Sequence, residues 1–145
     1  MKQVNLYTHT GLKALKLQSG KGGYVLEFFQ QGVKDPATLT KIVDIKDMTP
    51  VQAELHVINE ALGRINTKDI DLTIYTDCMQ VAAAFINQWV ISWQEKGWKT
   101  ARGEPVKHGD EYKEILDKLC GMCFSVRGKQ AHGYRNWLIK ETEGR

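Results

Sequence analysis

The chain has 145 residues, 42% hydrophobic and 26% charged, with a formal net charge of +3 and three cysteines. That length predicts one domain, residues 1–145, burying roughly 68–70% of its unfolded surface. The composition excludes a disordered or fibrous chain, no apolar run approaches the ~20 residues of a membrane span, and the N-terminus lacks an apolar signal segment, so a cytoplasmic protein with no membrane attachment is expected.

Residues 4–8 (VNLYT) alternate apolar and polar side chains and predict a strand ending at His9, Thr10 and Gly11. Residues 19–23 (SGKGG) read as a turn-rich loop. Residues 24–29 and 38–45 give two further strands, and the three together predict an antiparallel meander. Thr49, Pro50 and Gln52 mark a helix start: Thr49 caps, Pro50 suits the first helical position, and Gln52 completes the box spacing. Val51, Leu55, Ile58 and Leu62 then recur at helical spacing, Glu54 lies at the edge of that stripe, and Gly63 is the stop. Residues 72–75 are apolar on both faces and predict a central strand that ends on Asp77. A helix over about 79–92 puts Val81, Phe85 and Trp89 on one face. Gly97 interrupts it before a basic loop, 98–107. Asp110 is expected to cap a helix with Tyr112, Ile115, Leu116 and Leu119 inward. Residues 122–126 predict a fifth strand. A last helix over about 132–141 points Tyr134, Trp137 and Leu138 inward, before a polar, frayed tail, 142–145. The order is β-β-β-α-β-α-α-β-α, an α/β fold with a mixed sheet and helices packed on it.

Cys120 and Cys123 form a lone C-x-x-C. It could be half of a zinc site or a redox pair, but no second pair follows to close a tetrahedral shell, and reduced cysteines near a helix end are the simpler reading. Charge is unevenly spread. Between Lys96 and Lys107 stand four cations, Lys96, Lys99, Arg102 and Lys107, against one anion, Glu104. Trp89, Trp93 and Trp98 accompany them, which suits a phosphate backbone better than a merely solvated face.

Thr76-Asp77, the run Trp89-x3-Trp93-x4-Trp98-Lys99-Thr100, and Pro105-Val106-Lys107 with Asp110 resemble the type 1 ribonuclease H family. Weaker matches at residues 6–11, Gly22-Gly23-Tyr24 and Glu54-Leu55 extend the likeness over nearly the whole chain. The resemblance implies a ribonuclease H-like fold: a five-stranded mixed sheet, three antiparallel strands followed by β-α alternation, with helices on both faces. It implies cleavage of the RNA strand of RNA–DNA hybrids by two Mg²⁺ ions about 3.5–4 Å apart, held by four carboxylates. Glu54 and Asp77 match two of these. His9 stands at the bridging carboxylate on the first strand, and Asn136 at the one on the last helix. Lys129 aligns with the family's proton-transfer histidine, with His132 as a substitute.

An imidazole offers one lone pair and no compensating negative charge, so it bridges two hard cations poorly. The expectation is therefore a domain that binds RNA–DNA hybrid or duplex, with Mg²⁺ or Mn²⁺ bound weakly or not at all and hydrolysis lost or strongly reduced. His9, Glu54, Asp77 and Asn136 form the catalytic set, the first three as metal ligands. Gly11, Trp89, Lys96, Trp98, Lys99, Arg102 and Lys107 form the nucleic-acid surface, with Trp98 the favoured sugar or base contact. The alternatives are an active nuclease using His9, Glu54 and Asp77 with a metal such as Mn²⁺, and a catalytically inert protein-interaction module.

Overall fold

The computed structural model describes residues 1–144; Arg145, the last residue of the expected tail, lies outside them. Three strands come first: β1 (Lys2–Thr10), β2 (Gln18–Phe28) and β3 (Ala37–Met48), paired antiparallel in sequence order. β4 (Ile70–Thr76) lies parallel to β1, and β5 (Cys123–Gly128) parallel to β4. The sheet order is β3-β2-β1-β4-β5. The apolar run in β4 is explained by this position between two neighbours, where Leu72 and Ile74 are fully buried.

Helix α1 (Pro50–Leu62) begins as its sequence predicts: the Thr49 hydroxyl accepts from the Gln52 backbone N–H at 3.3 Å, and Pro50 opens the first turn. Alternate residues of β1 divide the molecule. Val4 and Leu6 join Leu55 and Ile58 of α1 and Ile115 and Leu119 of α4 (Gly109–Leu119) in the main core. Tyr7, with Val25, packs against Leu138 of α5 (Arg135–Glu143) on the other face. Helices thus cover both faces, with α5 alone opposite α1 and α4.

Several local expectations are corrected. Residues 19–23 are not a loop but the start of β2, where register shifts between Gln18 and Gly20. The glycines there admit α1: a Cβ at Gly22 would stand 2.6 Å from Val57 Cγ2. The helix over 79–92 is two helices, α2 (Met79–Ile86) and α3 (Trp89–Glu95). Asn87, a weak helix former suited to helix ends, closes α2, and Gln88 takes a left-handed φ of 60°. Asp110 is not the cap of α4; left-handed His108 precedes Gly109, and Asp110 and Glu111 sit in the first turn, where the helix dipole favours carboxylates. The last helix starts three residues later than expected. His132 Nδ1 accepts the Tyr134 N–H at 3.2 Å and holds the chain in a turn first. Trp137 consequently points outward at 37% exposure, whereas Leu138 and Thr142, one helical turn apart, are buried. Within the expected frayed tail, Thr142 and Glu143 instead belong to the last turn of α5, with Thr142 donating to the Leu138 carbonyl at 2.7 Å.

Gly11 makes that last turn fit. A Cβ there would stand 2.5 Å from the Thr142 carbonyl oxygen. Gly11→Ala should destabilise the fold by about 1–3 kcal/mol, because backbone cannot yield as a side-chain tip does. Gly133→Ala, with open space around it, is the control and should stay within about 0.5 kcal/mol. Urea denaturation midpoints compare the two.

Candidate active site and nucleic-acid face

The parallel register of β1 and β4 builds the site. Tyr7 is paired with Tyr75, and their rings stack at 4.8 Å. Two residues further along each strand, on the same face of the pleat, stand His9 and Asp77. His9 Nδ1 lies 3.1 Å from Asp77 Oδ2. Its Nε2 lies 2.7 Å from Glu143 Oε2, on the last turn of α5. Lys13, in the β1–β2 connection, pairs with the other oxygen of Glu143. Arg135, at the start of α5, stands 3.7 Å from Asp77. The intervening residues Thr8 and Thr76 face the opposite way, and their hydroxyls hydrogen-bond Glu54, which α1 carries to the back of the strand ends at 2% exposure.

These contacts fix the charges. Ionised carboxylates can only accept, so an imidazole bonded to two of them donates from both nitrogens and carries the positive charge. Burial opposes that charge, but the hydrogen bonds and charges of Asp77 and Glu143 outweigh it and raise the His9 pKa. Asp77 is lowered by its hydrogen bond to His9, against the cost of burial and with help from Arg135. Glu143 is lowered by Lys13 and His9. Glu54 is different: burial raises it, and the two threonine hydroxyls only partly offset this.

Of the four expected catalytic residues, the structure brings His9 and Asp77 into contact, sets Glu54 behind them, and leaves Asn136 exposed on the first turn of α5. Sequence reasoning missed Glu143, Lys13 and Arg135. The helical spacing of Leu138 and Thr142 was the signal for Glu143, but with no apolar residue after Ile139 the stretch read as solvated. Between the two histidine-loop candidates, His132 is the one near the site: its ring lies 4.4 Å from that of Tyr7, and it feels the charges of Asp77 and His9. Burial lowers its pKa. Lys129 is exposed and contributes its backbone N–H to the Thr76 carbonyl at 3.0 Å.

The basic loop is ordered. The Trp98 N–H bonds the Trp93 carbonyl at 2.7 Å, Val106 bonds back to Trp98 at 3.0 Å, and Lys99 bridges to Pro105. Lys96, Lys99, Arg102 and Lys107 are all exposed. Trp98 is half-buried, with a left-handed φ of 64°, and packs on the core. The more open ring is Trp89, 47% exposed because of the break at Gln88. Trp89, Met79, Val51, Leu15 and Lys107 line one groove of about 700 Å³. Gly11 is occupied by its contact with α5.

The family model described as RNase H matches residues 1–136, a span that stops before Glu143. A ribonuclease H of Caldicellulosiruptor saccharolyticus is 30% identical over 119 residues, covering 82% of this chain and 77% of that protein. A ribonuclease H of Novosphingobium aromaticivorans is 31% identical over 120 residues, with the same shares covered. Among solved structures, LC9-RNase H1, described as a type 1 RNase H with the type 2 active-site motif, superposes with a TM-score of 0.77 at 18% identity, over 97% of this chain and 70% of that one. LC11-RNase H1, solved in complex with RNA/DNA hybrid, gives 0.60 at 13% identity, over 97% and 96%. The structural likenesses speak for the fold. No helix among the described residues is long and apolar enough to cross a membrane.

The raised His9 pKa carries a pH signature. The stabilisation it contributes is complete below the unfolded value of about 6.5 and is lost as pH climbs through the higher folded value. The stability gap between wild type and His9→Gln should therefore be widest near pH ~6 and shrink above it. Urea titrations at a series of pH values measure it; a gap that widens with pH contradicts the charged imidazole.

Proposed function

This chain belongs to the ribonuclease H family, and from that premise we propose that it binds RNA–DNA hybrid or a related duplex, with Mg²⁺-dependent hydrolysis of the RNA strand lost or strongly reduced. One observation carries the second half of this reading: the His9 ring lies between Asp77 and Glu143 with both nitrogens engaged. In this arrangement neither nitrogen offers a lone pair to a metal, and both carboxylates already have a cation. Glu54 is tied to Thr8 and Thr76 and pushed towards its protonated form by burial. The residues present therefore do not fit a pair of hard divalent ions, which need several ionised oxygens facing one space.

The binding half rests on the exposed cations of the 98–107 loop and its approach, and on the open Trp89 ring. LC11-RNase H1 was solved with RNA/DNA hybrid and a foamy viral protease-reverse transcriptase with dsDNA, which favours the same class of partner here. Lys96, Lys99, Arg102 and Lys107 supply charges for phosphates. A ring such as Trp89 offers a sugar or base an apolar face. Recognition of this kind reads duplex shape, phosphates and 2′-hydroxyls rather than base sequence.

Two outcomes are expected. Hybrid affinity, followed by fluorescence anisotropy, should fall at least ~100-fold between 50 and 200 mM salt, the slope of four or more phosphate contacts. Lys99→Ala with Arg102→Ala should flatten that slope by about two. A salt-insensitive affinity would favour the protein-interaction module instead. Hydrolysis of labelled hybrid should be near background with Mg²⁺ and rise at least ~10-fold in His9→Asp, the scale on which changes at metal centres act. Efficient cleavage by the unaltered chain with Mn²⁺, abolished by Asp77→Asn, would establish the rearranged nuclease in its place.

A further inference from the structure

The charges at the strand ends alternate. From the start of α5 to the β1–β2 connection the order is Arg135, Asp77, His9, Glu143, Lys13, each within ion-pair distance of the next. Three cations enclose two anions. A cluster built from carboxylates alone repels a phosphodiester until metal ions reverse its sign. Here the protein's own side chains have already done so. We propose that this cluster is a phosphodiester-binding site that needs no metal ion, with Arg135 and Lys13 as the contacting groups and His9 as the fixed positive charge between them.

The geometry supports these roles. Arg135 is 45% exposed and stands 3.7 Å from Asp77, beyond hydrogen-bond distance, so that pair spends none of the five guanidinium N–H donors. A guanidinium presents those donors as a planar fork suited to a phosphate. Lys13 is 62% exposed, and its ammonium has three donors, of which Glu143 takes one. His9 is nearly enclosed, at 12% exposure, and acts through its charge. Glu54 is 2% exposed and lies behind Thr8, on the opposite face of the strand ends from the surface that Lys13 and Arg135 present. The inference rests on the nucleic-acid reading above and assigns the ligand chemistry of the strand-end cluster: backbone phosphodiesters of a duplex, recognised without a divalent ion.

The test is hybrid binding by fluorescence anisotropy over a salt series, in EDTA and in Mg²⁺. Wild type should bind at least as tightly in EDTA as in Mg²⁺ at matched ionic strength. Lys13→Ala and Arg135→Ala should each reduce the salt slope by about one in EDTA. Lys13→Arg should restore the slope and show that the loss is of charge, not of fold. Mg²⁺ strengthening wild-type binding several-fold, or both alanine variants keeping the wild-type slope, overturns the inference. If Lys99→Ala and Arg102→Ala weaken binding while Lys13→Ala and Arg135→Ala do not, the nucleic-acid reading stands and this site falls. Absence of hybrid binding in either buffer removes both.

Discussion

An imidazole held at both nitrogens decides the character of this molecule's strand-end site. His9 comes from the first strand, Asp77 from the fourth and Glu143 from the last turn of the last helix, so three distant parts of the chain meet on one ring. Each bond depends on a different packing feature. The Asp77 bond follows from the parallel register that pairs Tyr7 with Tyr75. The Glu143 bond follows from the close approach of α5 to Gly11 and from Leu138 seated on Tyr7 and Val25. The Tyr134 hydroxyl adds a further tie on that face by donating to Glu27, which also accepts from Asn5 and Tyr7. The site is thus the place where the packing of both sheet faces is registered.

Alternation along β1 and β4 separates two kinds of acid. Odd positions lead to His9 and Asp77, where ion pairing favours the anion. Even positions lead to Thr8 and Thr76, whose hydroxyls meet a carboxyl that burial drives the other way. Two carboxyl groups packed at the same strand ends, one on each face, therefore have opposite electrostatic tendencies. The difference arises from the faces they occupy and not from their residue type.

The meander, the parallel strands and the first helix were legible in the sequence because their signals are local: alternation in β1, an apolar run in β4, a threonine-proline start for α1. His9, Asp77 and Glu54 were legible as site candidates because each stands in a short recognisable context. Glu143 was not, since helical continuation past Ile139 rests on a buried threonine that looks like solvent-facing tail. The roles of Trp89 and Trp98 depended on two left-handed residues, Gln88 and Trp98 itself, which no periodicity announces. Gly11 read as a residue facing a ligand, but its missing side chain is filled by the backbone of Thr142.

The bond between His9 and Glu143 spans almost the whole chain. Closing a contact of such high sequence separation costs somewhat more ordering entropy than closing β1 on β4. The β1–β4 pair can form while α5 is still undocked, as it requires a shorter closure. An intermediate of that kind would hold the ring through Asp77 alone, with Lys13 unanchored and the β1–β2 connection loose. The last turn of α5 is therefore also a latch, and its arrival converts a pair of strand ends into a finished charge cluster.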